Sequence, residues 1–308
     1  MSTKLLHIGL PKCGTTFLRN EIFPEIEKKM KIEHLTLSDV LNKKKYYTYR
    51  NKIKLKKKLP KSFILSSERL FSRGGEFLEI SKSFKYIKKN FSKDTVILIV
   101  LRNPYEFLNS IYCQAIQTMN IIRPEDFFYI KKNSKIRKDG GKYNLYKFDY
   151  NYFVALYKSY FKKVIVVKYE NLNNYVYLKK IFNLDAEFIN QLKNKSNIHH
   201  NKSISKTTIN LVLSLNKFIN FKNKQNLLKN YTKNIYVDGS KKLNPKPSFL
   251  KKFQNGLLKK LIILKFFFQH KFLRLIDKIF VYKKYYIKKN YIPLNVDKLI
   301  KDYNKTTF

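Results

Sequence analysis

The segment Gly9-Leu-Pro-Lys12-Cys-Gly14-Thr15-Thr16 combines residue types and a spacing suited to chemistry. Glycines let a backbone wrap closely around an anion, and a helix starting just beyond them points unpaired N–H groups at it. The phosphate loop of nucleotide hydrolases reads G-x4-G-K-[ST]. Here Gly9 and Gly14 keep that spacing, Thr15 stands where the lysine belongs, and the lysine has moved inside the loop, to position 12. Magnesium-dependent phosphoryl transfer also needs an acid at the end of a neighbouring strand. The best candidate strand, Thr95–Leu101, runs instead into Arg102. A cation there suits a second phosphate and offers nothing to a metal. The residues describe an anion site with no metal ligand.

Such a loop works only if strands and helices hold it. Lys4–Gly9 (KLLHIG) reads as a short buried strand, followed by a turn and a helix from about Thr15 to Lys29. Phe63–Ser66 (FILS) reads as a second strand, Thr95–Leu101 is a continuous apolar, β-branched run of the kind buried on both faces of a parallel sheet, and Val164–Val167 reads as a fourth buried strand. Helical segments are expected at about Glu76–Asn90, from Pro104, whose missing N–H suits a first helical position, and at Tyr152–Phe161. The alternation predicts an α/β fold, a three-layer α/β/α arrangement around a central parallel sheet. Residues 31–62 are basic and weakly patterned. Beyond about residue 174 the strands stop, and segments 174–194, 204–230 and 248–290 read as helical and lysine-rich. The expected organisation is one domain over 1–308, with an α/β core at 1–205 and a helical extension at 206–308. DGSKKLNPKP at 238–247 reads as a loop. LIILKFFF at 261–268 is too short to span a bilayer and reads as a core-facing helix, with an interfacial anchor as the alternative.

The 308 residues carry 65 Lys+Arg against 21 Asp+Glu, a formal net charge of +44. Only 8 of the cations are Arg, the residue that reads base edges bidentately, so nucleic acid is not expected as the main partner. Lysines are spread along the chain as solvated surface positions, with attraction to a polyanionic substrate or a membrane surface as the second reading. A hydrophobic share of 44% and an aromatic share of 16% are too high for a disordered polycation. Two cysteines, Cys13 and Cys113, cannot build a disulfide framework. With no signal peptide pattern and no apolar run of ~18 residues, the expected location is the cytoplasm, with peripheral membrane contact allowed.

Several segments together resemble the sulfotransferases that use 3′-phosphoadenosine 5′-phosphosulfate (PAPS). PKCGTTFL at 11–18 resembles the family's 5′-phosphosulfate loop, and LRNPYEFLNS at 101–110 its 3′-phosphate motif, an Arg at the strand end and a Ser eight residues on. ILSSERLF at 64–71 resembles the second-strand segment of the carbohydrate-type branch, where a Glu serves as base. VIVVKYENL at 164–172 is similar to the fourth strand and its turn, HNKSIS at 200–205 to a later segment of bacterial members, and IPLNVDKLIKDYN at 292–304 is a weaker echo. The resemblance implies a P-loop NTPase-like fold and transfer of a sulfuryl group from PAPS to a hydroxyl, with no metal. Its donor-binding residues would be Pro11, Lys12, Cys13, Gly14, Thr15, Thr16, Phe17, Arg102 and Ser110. Lys12 would stabilise the bridging oxygen of the leaving phosphate, and Glu68 would take the acceptor's proton.

Geometry agrees with the second motif: if Asn103 caps the helix, positions 103, 107 and 110 share one helical face, so Ser110 and Arg102 can address one phosphate. His7 reads as a core residue, Cys13 as a small filler and Glu170 as structural. His199 and His200 are weaker candidates for contact with donor or acceptor. The expected acceptor is a sugar hydroxyl, with a small metabolite or a tyrosine as alternatives. Two other functions stay open: a kinase-like phosphotransferase, and a non-catalytic basic protein that binds polyanions or a membrane surface.

Overall fold

A computed structural model describes residues 3–40, 59–72, 76–117, 122–132, 141–195, 205–218 and 282–306. The chain forms two compact units, Met1–Leu108 with Phe128–Lys202 and Lys289–Phe308, and Asn109–Phe127 with Ser203–Lys288. The segments 238–247 and 261–268, and His199 and His200, lie outside the described residues.

The first unit is an α/β structure. In chain order its elements are β1 (Lys4–Ile8), α1 (Thr15–Phe17), α2 (Phe23–Met30), β2 (Glu33–Leu35), α3 (Leu37–Val40), β3 (Phe63–Ser67), α4 (Ile80–Asn90), β4 (Val96–Leu101) and the start of α5 (Pro104–Gln117). After α6 (Pro124–Phe127), which lies in the second unit, come β5 (Phe128–Tyr129), β6 (Tyr143–Asn144), α7 (Tyr150–Lys158), β7 (Val164–Lys168), α8 (Val176–Phe182) and α9 (Ala186–Lys195). The second unit resumes with α10 (Lys206–Phe218), and the first closes with α11 (Val296–Lys305).

Five parallel strands form one sheet in the order β2-β3-β1-β4-β7, flanked by helices, and β5 and β6 pair separately. This bears out the expected α/β class with a central parallel sheet. Ile97–Leu101 of β4 are all fully buried, as its unbroken apolar sequence requires. Registers set the functional edge: Ile8 of β1 lies beside Ser67 of β3 and Ile99 of β4. The chain leaves β1 towards β2, returns to β3, then crosses to β4 on the far side of β1. Ligands of open α/β sheets sit where connections diverge in this way, beyond the strands' carboxyl ends.

The high aromatic content has a structural use. Phe71, Phe77, Phe148 and Phe153 pack edge-on or tilted at centroid distances of 4.8–6.1 Å, and Phe84 joins α4 to Tyr157 of α7 at 5.3 Å.

Four boundaries differ from expectation. The helix expected over Thr15–Lys29 is interrupted by a π-turn at Leu18–Ile22, just before Pro24 at the start of α2. Proline has no N–H for the regular bond, and the turn upstream widens. The weakly patterned stretch 31–62 contains β2 and α3, elements of three and four residues, too short to show a period. The helical reading of 248–290 fails at its described end: residues 282–288 are not helical, and Ser205 and Lys284 form an isolated antiparallel bridge. Asn109 bonds this segment on both sides of Tyr286, donating from Nδ2 to the Tyr285 carbonyl (2.7 Å) and accepting the Ile287 N–H at Oδ1 (3.0 Å). Residues 289–305 return to the first unit through α11 rather than continuing a helix from 248. Among the described residues no helix is long and apolar enough to cross a membrane.

His7, read as a core residue, is wholly buried on β1. Its Nδ1 lies 2.9 Å from Ser66 Oγ, its ring meets Phe23 edge-on at 5.6 Å, and its buried Nε2 has no hydrogen-bond partner. Burial above all, then Arg19 and His34, lowers its pKa to about 3. The unfolded chain therefore binds a proton that the folded one refuses, from the ordinary histidine range down to about pH 3. Stability is expected to fall with acidification across that window, by up to ~1.4 kcal/mol per pH unit from this residue. Denaturant melts at pH 7 and pH 5 check it: the loss should shrink in His7→Gln, and an unchanged loss refutes the assignment.

Candidate functional site

The loop after β1 is built by protein packing on both of its glycines. A Cβ on Gly9 would lie 2.7 Å from Thr15 Oγ1 and 3.2 Å from the Glu68 backbone nitrogen. Gly14 has φ +77°, and a Cβ there would lie 2.5 Å from Leu172 Cδ2 and 3.3 Å from Tyr169 Cε2. Leu10 and Cys13 are fully buried beneath the loop. Burial pushes the Cys13 thiol pKa well up, against the pull of Arg102, so the residue is a neutral filler.

Several loop donors face inward. The Leu10 carbonyl accepts the Cys13 N–H (3.4 Å) and the Thr15 hydroxyl (3.2 Å), and Thr15 is buried. The first intrahelical bond runs from the Leu18 N–H to the Gly14 carbonyl (3.0 Å). The N–H groups of Thr15, Thr16 and Phe17 precede it and have no acceptor within the helix. These three, with half-exposed Pro11 and Lys12, are the part of the loop able to meet an anion. Lys12 adopts φ +61°, an uncommon backbone for a residue with a side chain.

Arg102, at the end of β4, is turned onto this loop. Its Nη1 donates to the Lys12 carbonyl (3.2 Å), its Nη2 pairs with Glu106 (3.4 Å), and its guanidinium lies 4.8 Å from the centre of the Tyr169 ring. The sequence placed Arg102 here. It did not single out Glu106, although the i, i+4 spacing of Arg102 and Glu106 was a usable signal. Asn103 caps α5 as the geometric argument required, its Oδ1 accepting from the Tyr105 N–H (3.1 Å) and the Glu106 N–H (3.3 Å). Ser110 is half-exposed on the same helix and belongs to the second unit.

Glu170 is structural, as read: its Oε1 accepts the Asn103 N–H (3.2 Å) and its Oε2 the Tyr303 hydroxyl (2.6 Å). Tyr303 Oη also lies 3.3 Å from the Leu101 carbonyl, so α11 is fastened to the end of β4. No local pattern announced this bond, whose partners are 133 and 202 residues apart.

Glu68 follows β3 directly and opens a 3-10 turn, Glu68–Leu70. It is exposed, yet crowding by protein raises its carboxyl pKa, with Lys12 and Arg19 acting in the opposite direction. Arg19 was not singled out from sequence, and its position in the interrupted helix gave no reason to do so. The structure thus gathers Lys12, Arg102 and Glu68 at the adjoining ends of β1, β4 and β3. Such an edge can hold an anion between a backbone loop and two cations beside a base.

A separate cavity of about 280 Å³ lies between the starts of α5 and α7 and the helix α11, lined by Pro104, Asp149, Tyr150, Lys298 and Asp302 among others. Among the described residues no group of three or more His, Cys, Asp or Glu side chains is arranged to hold a metal ion. Comparison of the chain with family models, with curated proteins and with solved structures gives no match.

Proposed function

We propose that the protein is a PAPS-dependent sulfotransferase with a P-loop-like donor site, transferring a sulfuryl group to a hydroxyl acceptor, a sugar in the first instance. The observation that supports this most is the Arg102 guanidinium, turned onto the Gly9–Gly14 loop at 3.2 Å from the Lys12 carbonyl. A cation at that strand end suits a nucleotide phosphorylated at both of its ends. Magnesium-dependent phosphoryl transfer would want a carboxylate there. Two carboxylates by that strand end, Glu106 and Glu170, are engaged with Arg102 and with Asn103 and Tyr303.

In this reading the first-turn N–H groups and the Lys12 ammonium bind the 5′-phosphosulfate, and Arg102 binds the 3′-phosphate. The acceptor oxygen forms a bond to sulfur as the bond from sulfur to the bridging phosphate oxygen breaks. Glu68 takes the acceptor's proton, Lys12 stabilises the negative charge gathering on the bridging oxygen, and 3′-phosphoadenosine 5′-phosphate (PAP) leaves.

Calorimetry tests the donor. The chain is expected to bind PAP tightly and ADP poorly, with or without EDTA, and Arg102→Ala is expected to weaken PAP binding about 10- to 100-fold. ADP binding that requires magnesium and exceeds PAP binding would favour the kinase-like reading instead.

A further inference from the structure

The sheet has a second edge, where strands begin and helices finish. Helix C-termini carry partial negative charge and favour lysine. Accordingly α4 carries Lys88 and Lys89 in its last turn, and α7 ends on Lys158. The turns entering β4 and β7 add Lys93, Lys162 and Lys163, and all six lysines are exposed. Asp94 lies among them, paired with Lys162 at 2.7 Å. At the centre is half-exposed Tyr160, its ring clasped by Lys88 Nζ at 5.0 Å and Lys93 Nζ at 5.7 Å and met edge-on by Phe161 at 4.9 Å.

We propose that this edge, centred on Lys88, Lys93 and Tyr160, docks the protein on an anionic lipid membrane. Ammonium groups are compact point charges, whereas paired recognition of a single phosphate or base favours the arginine fork, and no arginine stands in this cluster. The lysines come from the ends of separate elements spread along the sheet edge, which suits a plane of charge better than one strand of a polymer. A tyrosine ring flanked by lysine ammonium groups has the apolar body and polar rim that settle at headgroup depth. Docked this way, the protein turns the opposite edge, with Lys12, Glu68 and Arg102, away from the bilayer. The proposal therefore stands apart from the choice of donor.

Co-sedimentation of the full chain with vesicles tests it, comparing phosphatidylcholine alone with a mixture holding about a third phosphatidylserine at about 0.1 M salt. Binding is expected only to the anionic vesicles. The triple variant K88Q/K89Q/K93Q should bind them about a hundred-fold more weakly, from ~1 kcal/mol per lysine at a charged bilayer. K88R/K89R/K93R should retain binding, which separates charge from folding. K298Q/K301Q/K305Q on α11 removes the same formal charge and should change binding less than about threefold. Equal losses in the two glutamine triples would place the attraction in diffuse net charge and overturn the proposal. So would absence of binding, or tighter binding to duplex DNA with the same dependence on Lys88, Lys89 and Lys93.

Discussion

If the proposed sulfuryl transfer is the reaction, Glu68→Gln is expected to slow it about a thousand-fold and to leave PAP affinity within about threefold. An acceptor hydroxyl loses its proton only as its oxygen bonds to sulfur, so the base must be in place and ionised at that moment. Glu68 sits at the end of β3, its backbone against Gly9, and crowding raises its pKa. A raised pKa makes the carboxylate a stronger base, while Lys12 and Arg19 limit the rise and keep it able to ionise. The sign of the pH dependence follows. As the proposed base, Glu68 is active when deprotonated, so the rate should climb with pH through this elevated pKa and then level, and Glu68→Gln should lose that limb altogether. Lys12→Ala is expected to cost about 100- to 1000-fold in kcat through the leaving-group oxygen. The double variant should be little worse than the more damaging single one, because the proposed mechanism has the two groups act in one step. Assays with PAPS and a panel of hydroxyl acceptors read all three. A Glu68→Gln enzyme that keeps a tenth or more of the activity would remove Glu68 from the role of base.

Legibility from sequence tracked how locally each feature is encoded. β4 was readable because VILIVL is apolar throughout, and Arg102 followed as the residue at its end. Asn103 as a cap and Pro104 at the helix start are one-residue signals, and both hold. β2 escaped because three residues on an outer strand carry no period. Residues 282–288 misled because the signal that takes them out of a helix is remote: the Asn109 side chain, far away in sequence, bonds the Tyr285 carbonyl and the Ile287 N–H. The site divides in the same way. Glu68 and Arg102 were legible as ends of strands, and Lys12 from its place inside the glycine-framed loop. Tyr303, Leu172 and the ring of Tyr169 were not, because their contribution is contact with a loop or strand end remote in sequence. The glycines were legible for a partial reason. Their spacing suggested close approach to an anion, and the atoms that come close are those of Thr15, Glu68, Leu172 and Tyr169.

That packing makes Gly14→Ala the most damaging single-methyl change expected in the loop. At φ +77° alanine meets the left-handed penalty of ~1–2 kcal/mol that glycine escapes. Its Cβ would also fall 2.5 Å from Leu172 Cδ2, a contact that real side chains must move to avoid. Leu172 is itself buried, so its displacement passes strain onward, at a further ~1–3 kcal/mol. A total loss of ~2–5 kcal/mol is expected in denaturant unfolding, with PAP binding weakened because the first-turn N–H groups shift with the loop. Leu172→Ala alone leaves a cavity and costs ~2–5 kcal/mol. Combined with Gly14→Ala it removes the overlap, so the two losses should fall short of additive by ~1–3 kcal/mol. Strict additivity would mean that the alanine methyl never meets Leu172, and the backbone angle alone would then have to explain why a glycine stands at position 14.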